Sequence, residues 1–442
     1  MHRGEMQEGE PRRSPSLVRP ESPPAVDGPY ARYVLGLLFV VYIFNFLDRQ
    51  LLAILLQPIK EDLKISDTAL GFLTGFAFAV FYTFAGLPLA RLADRWVRGS
   101  LIAISIAVWS VMTAACGFAR GFTDLALARI GVGIGEAGAT PPAHSLLSDY
   151  FSPEKRATVL AFYACGVPVG SGLGYWLGGW INDAFGWRIA FFVVGLPGVL
   201  LALLVHRTIR EPVRGMSERH PVSIRQYSTA EVWRFLTGLP TGRRVSLGAA
   251  CIAFAGYGMA AWIPAFFVRI HHMTPGELGV WMSWITALGG VIGALSGGLL
   301  ADRWGRRVPQ ARAYICMASA LLSIPFHAAS VLLADPRLAL LSFLPAMICS
   351  TLWFGPAASI VQDLAPPAMR AVASAVFIFI LTIIGLGAGP QVIGILNDWI
   401  GTPDAIRHSL LWTTAVMNLG AAIFFGLMAK SLVQDLEAKK RL

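Results

Sequence analysis

Twelve long apolar segments dominate the chain, and each is long enough to cross a bilayer. They occupy about residues 31–57, 70–92, 99–118, 123–149, 156–182, 187–206, 244–268, 278–300, 310–333, 338–362, 370–396 and 408–431. A helix needs about 20 apolar residues to span the hydrocarbon layer, where it satisfies its own backbone hydrogen bonds. Of the 442 residues 55% are hydrophobic and 14% charged, with a mean hydropathy of +0.60. The sequence therefore predicts an all-α integral membrane protein with twelve transmembrane helices.

The positive charges predict how these segments are oriented. Connections after even-numbered segments contain eighteen Lys and Arg residues, whereas those after odd-numbered segments contain seven. Because Lys and Arg are enriched in cytoplasmic loops, the even connections and both termini are predicted to be cytoplasmic. The excess of 36 Lys and Arg over 26 Asp and Glu then reflects topology rather than a nucleic-acid partner. We expect a multi-pass protein of the inner (plasma) membrane, surrounded by membrane lipids.

An internal repeat divides the chain into two halves of six segments. The stretch Leu92-Ala-Asp-Arg-Trp96 recurs 208 positions later as Leu300-Ala-Asp-Arg-Trp304, and Ile181-Asn-Asp183 matches Leu396-Asn-Asp398. Six spans per half give both copies the same orientation, as in transporters whose halves rock about a central site. We therefore predict two six-helix bundles, at residues 30–206 and 244–432.

Three further segments lie outside the bundles. Residues 1–29 are rich in Pro, Glu, Arg and Ser and lack an apolar core, which predicts a disordered cytoplasmic tail rather than a signal peptide. Residues 207–243 form a cytoplasmic linker, in which Ser228 and Glu231 have the spacing of a capping box and predict a short interfacial helix. Residues 433–442 are predicted to be a second cytoplasmic tail.

Four charged side chains lie deep inside apolar segments, all in the first half. Arg129 and Glu136 are two helical turns apart on one face of segment four, and Asp48 and Arg49 lie in segment one. A charge at membrane depth is costly unless it faces a partner or a watery cavity. A carboxylate whose Arg partner or hydration changes between two conformations would bind and release a proton. We predict that these four residues couple protons to transport; the alternative is a permanent ion-pair cluster that holds the helices together.

The second half has no charges at the matching positions. A shift of 214 takes Glu136 to Ser350 and Arg129 to Phe343. One polar and one apolar wall suit an amphipathic substrate with its head toward Arg129, whose guanidinium binds phosphate oxygens bidentately. Aromatic side chains in spans also serve as core or lipid-facing residues. The predicted substrate contacts are Asn45, Arg129, Tyr257, Trp262, Phe343 and Trp353.

A glycine face marks segment five. Gly166, Gly170, Gly174 and Gly178 recur at every fourth position, which predicts close approach to another helix. Pro168 lies within this face and should loosen the local hydrogen-bond ladder.

The chain resembles a known transporter family in several motifs. The loop from Gly298 to Arg307 resembles the signature of the major facilitator superfamily, and the resemblance covers residues 31–432. Within it, a bacterial-type member of the Spinster group of lysolipid and sphingolipid transporters is indicated by Asn45-Phe-Leu-Asp-Arg49, Ala128-Arg-Ile-Gly-Val-Gly-Ile-Gly-Glu-Ala137 and Phe162-Tyr-Ala-Cys-Gly-Val-Pro-Val-Gly-Ser-Gly-Leu-Gly-Tyr175.

This resemblance implies further site residues. The Asp of the loop motif latches the cytoplasmic side in that family by contacting helix starts of the other half, a role that the positive end of a helix favours. The first copy departs from the motif at Ala90 and Val97, where Gly is usual. Tyr175 joins the predicted substrate contacts. The implied cytoplasmic gate consists of Asp94, Arg95, Asp302 and Arg303.

Together these features predict a proton-coupled secondary transporter of a lysophospholipid or sphingoid-phosphate-like lipid, working by alternating access. An organic anion is the alternative substrate, and a membrane sensor that does not transport is the alternative class. The buried charges and the intact loop motif argue against a sensor. Neither a nucleophile–base pair nor metal-ligand spacing is found among the scattered Cys and His residues, so we expect no enzyme activity, no cofactor and no metal. A monomer is expected.

Overall fold

The first half is built from ten helical pieces. The computed structural model describes residues 26–217, 228–305, 307, 308, 310–366 and 369–440, and these ranges contain helices and no strand. The helices of the first half are α1 (Pro29–Ile54), α2 (Leu56–Leu63), α3 (Asp67–Thr74), α4 (Phe76–Ala93), α5 (Arg98–Cys116), α6 (Phe122–Ala137), α7 (Thr140–Tyr150), α8 (Pro153–Ala164), α9 (Gly166–Phe185) and α10 (Trp187–Thr208).

The second half repeats this arrangement, and three of its helices run for 31 to 36 residues without a break. One linker helix precedes it, and a π-helical stretch, Leu381–Ala388, lies inside its fifth span. The helices are α11 (Thr229–Gly238), α12 (Pro240–His271), α13 (Pro275–Gly305), α14 (Ala311–Leu332), α15 (Pro336–Thr351), α16 (Phe354–Leu364), α17 (Arg370–Ile380), α18 (Gly389–Ile400) and α19 (Ala405–Lys440).

Eleven helical segments within the described ranges are long and apolar enough to cross a membrane. The predicted segment at 123–149 is not among them: it contains the charged residues Arg129 and Glu136, and its helix is interrupted at Gly138 and Ala139 into pieces of 16 and 11 residues. These pieces, α6 and α7, still occupy the place of the fourth span and contribute Val132 and Leu146 to the buried core. The predicted all-α membrane fold is confirmed, and its fourth span consists of two shorter helices.

The glycine face of α9 packs against α1, as its spacing predicts for some neighbouring helix. A Cβ atom added at Gly170 would lie 2.4 Å from the carbonyl oxygen of Ile43, and one at Gly174 would lie 2.5 Å from that of Leu47. Only glycine permits this backbone separation. The contact holds the stretch of α1 that carries Asp48 in a fixed position at the centre of the first half.

The span that contains this face is broken where the proline predicts it. α8 ends at Ala164 and α9 begins at Gly166, so the helix is interrupted at Cys165. Pro168 has no N–H to donate to the carbonyl of Ala164, four residues earlier, which removes one rung of the ladder at the break.

The halves meet at one end of the bundle. We call the end at residues 55–66 and 401–404 the outer end and the opposite end the inner end, following the predicted orientation. Hydrogen bonds and ion pairs described between the halves lie in the outer half, for example from Arg269 Nη1 to Asp67 Oδ2 at 2.5 Å. At the inner end, the predicted gate residues are all exposed: Asp94, Arg95, Asp302 and Arg303.

The linker helix α11 has the predicted capping box. The Ser228 hydroxyl oxygen accepts a hydrogen bond from the Glu231 N–H at 3.2 Å, and the Ser228 N–H donates to the Glu231 carboxylate at 2.7 Å. Val232 and Leu236 of α11 are buried against the second half. The tail predicted at residues 1–29 lies outside the described residues up to residue 25, and α19 continues to Lys440 through the tail predicted at 433–442.

An ion pair recurs at the inner end of both halves, 214 positions apart. Arg98 Nη1 lies 2.6 Å from Asp149 Oδ2, and Arg312 Nη1 lies 2.5 Å from Asp363 Oδ2. The first copy also includes Glu211, which lies 2.6 Å from Arg98 Nε. The repeat therefore extends from the sequence motifs to side-chain contacts, although the first copy is more buried.

Candidate functional site

Helix α6 has a side that faces the bundle and a side that faces away from it. Arg129 and Glu136 lie on the inward side and are almost completely buried. Leu127 and Ile134 lie on the other side, where they line an open and largely apolar groove of about 580 Å³ between α5 and α6. The two charged side chains of α6 therefore point toward the interior of the first half and away from this groove.

Glycines bring two neighbouring helices against α6. A Cβ atom added at Gly133 would lie 2.8 Å from the carbonyl oxygen of Phe78 in α4, and one at Gly135 would lie 2.6 Å from the backbone nitrogen of Trp109 in α5. The sequence predicted a packing role for the glycines of segment five but assigned none to these two. Their absent side chains allow α4 and α5 to approach the charged positions closely.

The four charges predicted from the sequence meet in one cluster. Arg49 Nε donates a hydrogen bond to Glu136 Oε2 at 2.7 Å. Arg129 Nη1 lies 3.5 Å from Asp48 Oδ1, close enough for an ion pair but outside hydrogen-bond geometry. The hydroxyl of Thr113 in α5 donates a short hydrogen bond to Asp48 Oδ2. The sequence reasoning missed Thr113, which looks like any other small polar residue in an apolar span.

Aromatic rings enclose the two guanidinium groups. The Arg49 guanidinium carbon lies 4.7 Å from the ring centres of Phe46 and Phe78 and 5.0 Å from that of Tyr82. The Arg129 guanidinium carbon lies 5.5 Å from the Phe78 ring centre. The negative faces of the rings attract these cations, which offsets part of the cost of burying them. Phe78 therefore contacts both cations.

Several buried polar atoms of the cluster have no hydrogen-bond partner among the described residues. They are both amide atoms of Asn45, Oδ1 of Asp48, Nε and Nη1 of Arg129 and Oε1 of Glu136. Leaving such atoms unpaired costs about 1–3 kcal/mol each, so most buried polar groups are paired. A purely structural cluster gains nothing from this arrangement, whereas a site that binds water, protons or a ligand requires free acceptors and donors.

A small cavity joins this cluster to the second half. Its volume of about 70 Å³ has room for a few water molecules, but an amphiphile is too large for it. Tyr257 of α12 is 44% exposed and brings the second half to this cavity. The lining side chains include Phe46, Arg49, Gln50, Phe78, Arg129 and Tyr257.

Other predicted substrate contacts are buried in packing in this conformation: Tyr175, Trp262, Phe343 and Trp353. The Tyr175 hydroxyl donates to the carbonyl of Ala260 at 3.2 Å, and Trp262 Nε1 donates to the carbonyl of Pro390 at 2.8 Å. Of the aromatic residues predicted to contact substrate, Tyr257 is the one that lines the central cavity.

A second polar network lies at the outer end, and the sequence analysis does not predict it. Asp67 accepts hydrogen bonds from Arg269 at 2.5 and 2.9 Å, from Lys60 at 2.5 Å and from Asn397 at 3.0 Å. Lys60 and Arg269 are two of the seven Lys and Arg residues in the odd-numbered connections, for which the sequence analysis predicts no site role. The repeated Asn-Asp motif could have indicated this network, because its second copy contains Asn397, which binds Asp67.

The comparisons with known proteins agree with this architecture. The family model described as Major Facilitator Superfamily matches residues 38–390. An MFS-type efflux pump of Mycolicibacterium smegmatis is 35% identical over 410 residues, which cover 92% of this chain and 94% of the relative. Protein spinster homolog 1 of Rattus norvegicus is 30% identical over 427 residues, covering 90% and 80%.

A solved structure shares the whole fold. It is a bacterial homologue of the human lysosomal transporter Spinster in an inward-facing, unoccupied conformation, with a TM-score of 0.83, 29% identity and coverage of 92% of this chain and 98% of that one. Proteins of this kind are transporters and not enzymes. The chain belongs to the major facilitator superfamily and, within it, to the Spinster group of transporters.

Proposed function

We propose that this protein is a proton-coupled secondary transporter that moves an anionic amphipathic lipid by alternating access. The lipid is a lysophospholipid or a sphingoid phosphate, and the protein lies in the inner (plasma) membrane with both termini in the cytoplasm. One observation carries the proposal: the two arginines of a buried, only partly hydrogen-bonded cluster of two ion pairs line a cavity between the halves. In that orientation the conformation described here is closed to the outside.

The carboxylates of the cluster are the proposed proton sites. Glu136 binds Arg49 through one oxygen, and its other oxygen has no partner among the described residues. Asp48 is held by Thr113 and faces Arg129 at 3.5 Å. Separating a buried carboxylate from its cation favours protonation, so a conformational change that alters either distance would take up or release a proton.

Arg129 is the proposed ligand of the anionic headgroup. Its Nε and Nη1 atoms make no hydrogen bond to a described residue, and it lines the central cavity. A guanidinium donates to phosphate oxygens in a fixed fork. Tyr257 and Leu386 supply the opposite, largely apolar wall, which suits the part of the substrate next to the headgroup.

Export of another organic anion is the second candidate. The relative described as an MFS-type efflux pump favours it, since it is 35% identical along nearly the whole chain. A substrate panel of lysolipids, organic anions and sugars in proteoliposomes separates the candidates when a pH-sensitive dye reports internal protons. Proton flux with organic anions alone would replace the lipid proposal, and binding without any flux would support a sensor.

The coupling role is tested by Glu136→Gln and Asp48→Asn in the same vesicles. Each change removes a titratable group while keeping shape, so we expect proton-driven uptake to fall to the level of empty vesicles. Asp124→Asn is the matched control, because Asp124 lies at the exposed start of the same helix and accepts from the Arg120 N–H. Full proton-driven uptake in both cluster variants would exclude the proposal.

A further inference from the structure

At the outer end, each half caps the start of a helix in the other half, and the two caps occupy corresponding positions in the repeat. Asp398, near the end of α18, accepts hydrogen bonds from the N–H groups of Asp67 at 3.1 Å and Thr68 at 2.7 Å, at the start of α3. Asp183, near the end of α9, accepts one from the N–H of Gly276 at 2.8 Å, at the start of α13. Each half therefore supplies a carboxylate to a helix start of the other half.

The caps complete the hydrogen bonding of these helix starts. The first four N–H groups of a helix have no partner inside it. At α3, the hydroxyl of Ser66 accepts from the Ala69 N–H at 3.1 Å, and the carbonyl of Ser66 accepts from the Leu70 N–H at 3.1 Å. The two N–H groups that remain are those bound by Asp398.

Helix α13 is completed in the same way. The hydroxyl of Thr274 accepts from the Glu277 N–H at 3.2 Å, and its carbonyl accepts from the Leu278 N–H at 3.0 Å. Pro275 has no N–H, so Gly276 carries the one remaining donor, which is bound by Asp183.

The two caps, which we call the Asp398 arm and the Asp183 arm, are related by the internal repeat. Ser66 and Thr274 are 208 positions apart, and Asp183 and Asp398 are 215 apart. The backbones also approach equivalently: a Cβ atom at Gly394 would lie 2.3 Å from the Asp67 carbonyl oxygen, and one at Gly179 would lie 2.1 Å from that of Pro275. Duplication of one half therefore explains why the caps cross over.

We propose that Asp183 and Asp398 form a paired latch that keeps the transporter closed at its outer end and releases when that end opens. Carboxylates bind helix starts because the helix dipole is positive there. Both side chains are exposed, so water replaces the lost bonds on opening and the free-energy cost is small and reversible. The latch goes beyond the proposed function, because it acts whichever substrate is carried.

The two arms differ in strength. The Asp398 arm has two amide bonds and lies beside Asp67, which also binds Arg269 and Asn397 of the second half. The Asp183 arm has a single amide bond. Loss of Asp398 should therefore favour opening more than loss of Asp183.

External thiol labelling measures the opening. Ala260→Cys places a reporter in the central cavity, and a membrane-impermeant maleimide is added to intact cells that express the full chain; the parent without the reporter gives the background from the native cysteines. We expect the loss of each cap bond to raise the population of the outward-open state about fivefold. Labelling should therefore be about 5-fold faster with Asp183→Ala, which loses one bond, and about 25-fold faster with Asp398→Ala, which loses two. Unchanged labelling in both variants would overturn the latch.

Two matched variants isolate the cap. Asp404→Ala removes an outer-end carboxylate that contacts His408 on its own side of the interface, and labelling should stay within about twofold. Asp398→Asn has one oxygen acceptor in place of two, so it keeps one of the two amide bonds and should label about fivefold faster than the parent and about fivefold slower than Asp398→Ala. If Asp404→Ala accelerates labelling as much, or if Asp398→Asn behaves like Asp398→Ala, capping is not the cause.

Amide hydrogen exchange gives a second readout that needs no transport. Exchange at residues 67–68 should rise in Asp398→Ala, and exchange at Gly276 should rise in Asp183→Ala, while the core of α5 stays protected. Unchanged exchange at both helix starts would contradict the proposal. Because neither measurement uses protons or substrate, failure of the proposed function would leave this test intact.

Discussion

Phe78 contacts both cations of the central cluster. Its ring centre lies 4.7 Å from the Arg49 guanidinium and 5.5 Å from that of Arg129. Like charges repel strongly in surroundings of low polarity, and an aromatic ring near both of them attracts each one. The ring therefore helps two arginines to line one small cavity, although only Arg49 donates a hydrogen bond to a carboxylate of the cluster.

Phe78→Leu tests this role at the scale of one residue. The substitution keeps an apolar side chain but removes the aromatic face, and we expect a loss of about 1–2 kcal/mol and a lower unfolding temperature in detergent. Phe81→Leu is the matched control on the same helix, because Phe81 is 39% exposed and touches no cation in the described structure. Equal shifts in the two variants would show that the ring does not stabilise the cations.

At the scale of elements, the site depends on how closely α6 approaches its neighbours. The absent side chain of Gly133 sets the distance to α4, whose Phe78 carbonyl would lie 2.8 Å from an added Cβ atom. Cores that are overpacked in this way move apart or strain. The position of the Phe78 ring thus depends on a glycine that makes no contact with either cation.

Gly133→Ala should push α4 away from α6. We expect a destabilisation of about 1–3 kcal/mol and reduced uptake in proteoliposomes, because the Phe78 ring shifts from the guanidinium groups. Gly86→Ala on α4 is the control, since an added Cβ atom there has nothing within 4 Å. Wild-type stability and uptake in Gly133→Ala would mean that the two helices tolerate the added volume.

At the scale of the whole molecule, the two halves contain corresponding ion pairs that differ in how deeply they are buried. The inner-end pair Arg98–Asp149 is almost completely buried in the first half, whereas the side chain of Asp363 beside Arg312 is 45% exposed. Breaking a buried pair leaves an uncompensated charge, while an exposed pair is screened by water. The two copies of this ion pair should therefore contribute differently to the stability of the protein.

Arg98→Ala and Arg312→Ala compare these copies directly. We expect the first to cost about 3–5 kcal/mol, because it leaves Asp149 and Glu211 without their shared cation, and the second about 0–1 kcal/mol. Thermal unfolding in detergent and the yield of folded protein measure the difference. Similar losses in the two variants would contradict the assigned burial.

The sequence alone determined the membrane fold, the repeat and the four buried charges. Apolar runs, loop charges and repeated motifs are properties of short stretches, so they can be read without knowing the neighbours. The capping box at Ser228 and the glycine face around Gly170 were predictable for the same reason, and the structure has both.

Only the tertiary structure decided which side chains meet. It paired Arg49 with Glu136 and Arg129 with Asp48, and it added Thr113 to the cluster. It also buried most of the aromatic residues that the sequence had suggested as substrate contacts. These outcomes depend on the rotation of each helix about its axis and on which helix lies beside it. Because an apolar residue suits lipid and protein neighbours equally well, no local pattern in a membrane span contains that information.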